Sequence, residues 1–151
     1  MTTQAPPAVI LHTSIPGRCR PKGSFVAQKL PSGKVVMFES GANARPWIAA
    51  ATKQLKAIWD GRPLIDRPVL VAATFRFQKP KHTKEPYPLS VGDTDKLMRR
   101  VLDTLAGTRQ KPGPILADDK LVVGFGKVRK LWGDVDGTEV WIAEASEARL
   151  L

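Results

Sequence analysis

The spacing of apolar positions divides the chain into strand-like and helix-like stretches. Val9-Ile10-Leu11 begins a predicted strand that ends at the turn-forming Pro16-Gly17. Val35-Val36-Met37-Phe38 predicts another strand behind the turn residues Pro31-Ser32-Gly33. From about Asn43 to about Trp59, Trp47, Ala51, Leu55 and Ile58 recur at helical spacing. Asn43 suits the N-cap, Pro46 is tolerated in the first turn, where its missing N–H has no partner, and Asp60-Gly61 ends the helix. The continuous apolar start of Val69-Leu70-Val71-Ala72-Ala73, followed by alternation to Phe77, predicts a central strand. A second helix is expected from about Thr94 to Ala106, stopped by Gly107.

On that second helix, at about 100° per residue, Leu97, Met98, Val101, Leu102 and Leu105 cover one face. Asp95, Arg99 and Asp103 form a stripe along its edge, which sets Asp95 beside Arg99. Beyond a loop rich in Gly and Pro, strands are expected at Leu121–Val128 and Val140–Ala143, joined through Asp134-Val135-Asp136-Gly137, where Asp-Gly is a hairpin signal. Gly124 and Gly126 lie inside a predicted strand and mark a bulge more readily than a phosphate loop. With no internal repeat, the pattern predicts one α+β domain over residues 1–151, a mixed sheet with two main helices, and a flexible stretch at 1–7.

Composition narrows the partners. The chain has 24 Lys+Arg against 14 Asp+Glu, a formal charge of +10, and so suits a polyanion. No apolar run approaches the roughly 20 residues of a membrane helix, and no basic helix with a continuous apolar face is apparent, which favours nucleic acid over a membrane surface. The first residues lack the charged and apolar regions of a signal peptide, and the single Cys19 excludes an internal disulfide. These features predict a soluble protein of a reducing cytoplasm.

Two acidic pairs stand out on this basic background. Asp93 and Asp95 flank the start of the second helix, and Asp118-Asp119 precedes the strand at Leu121. Taken singly, each has an ordinary reading: Asp93 caps, Asp95 favours the helix dipole, Arg99 makes an i,i+4 pair, and Asp118-Asp119 is a solvated turn. If the Leu121 strand lies beside the Val69 strand, both pairs are expected to converge on one mouth. Carboxylates gathered there would repel unless a cation or protons neutralised them, and hard oxygen ligands suit Mg²⁺ or Mn²⁺. An EF-hand is excluded, because Leu97 occupies the next alternate position and no Gly or terminal Glu follows in register. His12, His82 and Cys19 are too few and too scattered for zinc, and the Trp residues read as core, Trp132 beside a turn excepted.

Asp-x-Asp, then a helix carrying Leu102-Asp103-Thr104-Leu105, then Asp118-Asp119-x-x-Val122-Val123, resembles the RusA-type Holliday junction resolvases of bacteria and their phages. Ile15-Pro16-Gly17-Arg18-Cys19-Arg20-Pro21-Lys22-Gly23 and Lys79-Pro80-Lys81-His82 are similar to further stretches of that family. The resemblance implies metal-binding aspartates at Asp93, Asp95 and Asp119, with Asp118 as a supporting acid. It also implies a homodimer acting on four-way branched DNA. Family members commonly place Asn directly after the second aspartate and a catalytic Lys four residues after it, where this chain has Lys96 and Arg99.

The catalytic set expected is therefore Asp93, Asp95, Asp119, Arg99 and Lys96. Lys79, Lys81, Lys84, Arg100, Arg109, Lys111, Lys127, Arg129 and Lys130 are the expected DNA contacts. The alternatives are a less selective metal-dependent nuclease and a basic nucleic-acid-binding module without catalysis.

Overall fold

A computed structural model describes residues 8–23, 25–39, 43–108 and 110–146. The expected flexible stretch at 1–7 and the expected DNA contact Arg109 lie outside the described residues. The strands are β1 (Val9–Pro16), β2 (Phe25–Lys29), β3 (Val35–Glu39), β4 (Val69–Gln78), β5 (Val122–Gly133) and β6 (Gly137–Glu144). The helices are α1 (Arg45–Trp59) and α2 (Thr94–Ala106), and a single 3-10 turn, Asp119–Leu121, leads into β5. The architecture is α+β, as the pattern predicts: a mixed sheet in the order β1-β6-β4-β5 with two helices, and a separate two-stranded sheet of β2 and β3.

β4 is the centre of the fold because both of its faces are apolar. Val69 to Phe75 are all buried, and it pairs antiparallel with β6 on one edge and parallel with β5 on the other. A parallel pair cannot be joined by a tight turn, so α2 and its flanking loops form the crossover. The Asp-Gly signal accordingly does not make a β5–β6 hairpin. The two strands lie on opposite sides of β4, and residues 134–136 cross its end. There Asp136 Oδ1 accepts the Gln78 N–H at 2.8 Å, and the Lys79 N–H donates to the Gly133 carbonyl at 3.2 Å. Two edges of an apolar strand had to be covered, and this overrode the local turn preference.

The helices cover one sheet face. α1 buries Trp47, Ala51, Leu55 and Trp59, at i, i+4, i+8 and i+12, against the cluster that includes Val69, Val71, Phe75, Leu97 and Ile142. Ile58, expected in this stripe, is 43% exposed; the four-residue repeat selects Trp59 instead. Each large apolar side chain so buried contributes about 1.5–3 kcal/mol. Asn43 sits one residue ahead of the N-cap, Ala44, and its Oδ1 accepts the Arg45 N–H at 3.1 Å. β2 has no counterpart in the sequence reading, being five residues long and paired only with β3. The glycine signal in β5 does correspond to a bulge: Val71 opposes Phe125 while Ala73 opposes Val128, leaving Gly126 and Lys127 between them. Among the described residues, no helix is long and apolar enough to cross a membrane.

Candidate functional site

The first turn of α2 presents its acids outward. Asp93 occupies the N-cap position with extended backbone, φ −70° and ψ 140°, yet its carboxylate makes no capping hydrogen bond to the helix. It pairs instead with Lys96 Nζ at 3.6 Å, on a surface where the Asp93 side chain is 71% exposed. The ordinary capping role therefore does not account for Asp93. By contrast, Asp118 does cap: its Oδ1 accepts the Lys120 N–H at 2.9 Å at the head of the 3-10 turn. Arg99 pairs with Asp103, Nε to Oδ1 at 3.8 Å, and not with Asp95 as its spacing suggested. Asp95 makes no ion pair with another described residue.

Asp95 lines an open cleft of about 360 Å³ with Lys22, Lys96, Met98, Arg99, Leu102 and Phe125. Asp95 thus shares a partly apolar cleft with three cationic side chains, each ion-paired elsewhere: Lys96 to Asp93, and Lys22 and Arg99 to Asp103. Lys22 reaches the cleft from far away in sequence, and several contacts fix the segment that carries it. The Lys22 N–H donates to the Lys96 carbonyl at 3.1 Å, and its ammonium pairs with the Asp103 carboxylate. Arg100 donates from Nε to the Arg20 carbonyl at 3.2 Å and from a terminal nitrogen to the Pro21 carbonyl at 3.4 Å. Phe125 enters the cleft from the stretch of β5 just before the bulge.

The cationic positions divide into distinct groups. Lys79, Lys81, Lys84, Lys111, Lys127 and Arg129 are exposed, as DNA contacts require, with Arg129 Nε also reaching Thr74 Oγ1 at 3.3 Å. Arg100 does not belong with them. It is 3% exposed and ties down the Arg20–Pro21 backbone, because α2 is covered both by the sheet and by the segment before β2. Lys130 is also engaged internally, its ammonium donating to the Gly92 carbonyl at 2.9 Å and the Leu89 carbonyl at 3.4 Å. Trp132 packs against the core and donates its indole N–H to the Glu85 carbonyl at 2.8 Å, which makes it a brace for the basic loop. Cys19 is no nucleophile: burial pushes its thiol up to about 12, against the pull of Arg100.

The expected convergence of the two acidic pairs does not occur. Because α2 is the crossover between parallel strands, its first turn is tied to the later part of β5 through Lys130 and Gly92. Its last turn is tied to residues 113–116, immediately upstream of Asp118. There the Gly113 N–H donates to the Ala106 carbonyl, and the Ile115 and Leu116 N–H groups both donate to the Leu105 carbonyl. Asp93 and Asp95 thus belong to one end of the helix, and Asp118-Asp119 follows the segment bound at the other. Among the described residues, no group of three or more His, Cys, Asp or Glu is placed to hold a metal ion. The all-oxygen donors match a hard divalent cation in chemistry, but as placed they do not form its ligand set.

Lys22 and Phe125 are the cleft residues that sequence reasoning did not assign. Lys22 carried a signal only in lying within a stretch that resembles the resolvases. Its approach to Asp103 spans 81 positions, beyond any local periodicity. No protein-family model matches the chain, and no curated protein matches it.

Proposed function

We propose that the chain is a DNA endonuclease selective for branched structures, resolving four-way junctions as a homodimer in the cytoplasm of a bacterial or phage-infected cell. The observation that carries this reading is the cleft at the start of α2, which the exposed Asp95 lines together with Lys22, Lys96 and Arg99. Three cations suit a phosphodiester and would offset charge that develops on it during attack, and Asp95 stands among them without an ion pair to any described residue. The motifs that resemble RusA-type resolvases support the same reading. The Lys22 stretch and the Asp-x-Asp helix, distant in sequence, are held together by Arg100 and the Lys96 carbonyl.

In this account Arg99 and Lys96 bind the scissile phosphate, Lys22 steers the strand, and Asp95 positions the hydrolytic centre. Mg²⁺ or Mn²⁺ is the cofactor that this reading carries, and when bound it would supply Lewis acidity at the phosphate, but Asp93, Asp95 and Asp119 as placed do not form one ligand set for it. Lys79, Lys81, Lys84, Lys127 and Arg129 are the exposed cations offered to the DNA arms.

One observation favours a second reading. Asp118 caps a turn and the two acidic pairs do not form one ligand group, as expected of a basic module that binds nucleic acid without cutting it. A gel assay on junction, flap and plain duplex with Mg²⁺ separates the readings. Preferential cleavage of the junction is the expected result. Equal cutting of all three points to a general nuclease, and binding without any cutting points to the module.

A further inference from the structure

A second concavity, about 760 Å³, runs between α1 and α2 and is more basic than the cleft. α1 contributes Arg45, Lys53 and Lys56, at i, i+8 and i+11, a stripe distinct from the buried Trp47, Ala51, Leu55 and Trp59. The far wall holds Lys111, on a turn where the Thr108 N–H donates to the Lys111 carbonyl at 2.8 Å. That turn is packed against α2 so closely that a β-carbon on Gly113 would lie 2.2 Å from the Ala106 carbonyl carbon. The wall therefore fixes the backbone that carries Lys111, whose side chain is exposed. Asp103, the only carboxylate among the described residues lining the groove, is already paired with Lys22 and Arg99.

Lys22 lines both concavities, so the groove and the Asp95 cleft adjoin at this residue. We propose that the α1–α2 groove is the binding path for the phosphodiester backbone of one DNA strand, which passes over Lys22 into the Asp95 cleft. The inference rests on the nucleic-acid reading above and names how the strand reaches the site. The volume is that of a pocket for one small ligand, so it admits a few nucleotides of a single strand and not a duplex. Its apolar lining includes Ile48, Ala49 and Pro112, and among the described residues that line it none is aromatic, so no ring is offered for base stacking. Recognition there is by charge along the backbone and is independent of sequence.

The test measures binding of a labelled junction with single-stranded tails by fluorescence anisotropy between 50 and 200 mM salt. The full-length parent is compared with Lys53→Ala/Lys56→Ala and with Lys29→Ala/Lys34→Ala, a charge-matched pair of exposed lysines flanking the β2–β3 turn. The groove pair is expected to weaken binding about tenfold and to lower the salt slope by about 1.4, the share of two single-strand phosphates, while the control pair changes affinity less than about twofold. Ala49→Trp fills the groove without changing charge and is expected to weaken binding about fivefold, an effect that a diffuse positive field does not produce. Equal losses from the two lysine pairs, or an unaffected Ala49→Trp, overturn the groove. A parent that binds no DNA at all overturns the nucleic-acid reading itself, and the two failures are thus distinct.

Discussion

Gly92 stands so close to Pro21 that a β-carbon added to it would come within 2.6 Å of the Pro21 ring. Its φ of +122° is also a backbone conformation that residues with side chains rarely adopt. Gly92→Ala should therefore destabilise the protein by about 1–3 kcal/mol. It should also displace the segment that carries Lys22. Urea denaturation measures the first effect; a variant as stable as the parent would mean that this contact does not hold the loop against the helix.

Arg100 joins the same two segments from the other side. Replacing it by Met keeps much of the side-chain volume but leaves the Arg20 and Pro21 carbonyls without this donor. The expected loss is about 1–3 kcal/mol. Because the residue is buried, DNA affinity should track the folded fraction and the salt slope should not change. A lower salt slope in fully folded Arg100→Met would restore Arg100 as a phosphate contact.

Much of the fold is legible in the sequence, and the exceptions share a cause. β1, β4, α1 and α2 follow from apolar spacing, which burial enforces locally. Arg100 departs from its expected exposure because one-faced periodicity assumes that a helix is covered from one side, and α2 is covered from two. The Asp-Gly signal yields no hairpin because β4 needed partners on both edges. The acidic motif itself was visible, but its arrangement depended on the direction in which α2 returns between parallel strands. The Lys22–Asp103 pair depended on a contact across 81 positions.

Cys19 is 1% exposed, and burial pushes its thiol up to about 12. Iodoacetamide should therefore leave the native protein unmodified at pH 8 and alkylate it on unfolding, with a native rate set by opening of the structure. Prompt stoichiometric labelling of folded protein, followed by mass spectrometry, would contradict this placement.

Glu139 accepts a hydrogen bond from His12, Nε2 to Oε2 at 3.2 Å, and pairs with the Arg76 guanidinium. The His12 bond foremost, and then Arg76, hold its carboxyl below its ordinary value, against burial. A depressed value in the folded state contributes stability above the ordinary carboxyl value and loses it as pH falls through the folded-state value. Glu139→Gln should therefore be less stable than the parent at neutral pH, with the difference shrinking in that acidic window. Urea midpoints across pH measure it; a difference that grows on acidification would have the wrong sign.

The central claim is that Asp95, set among Lys22, Lys96 and Arg99, serves cleavage and not folding. A supercoiled plasmid with an extruded cruciform, incubated with limiting protein and Mg²⁺, should be converted to linear product by paired nicks. Asp95→Asn should melt with the parent and bind the junction within about twofold of it, yet leave the plasmid supercoiled. Parental cleavage by Asp95→Asn, or no cleavage by the parent in either Mg²⁺ or Mn²⁺, would contradict the account.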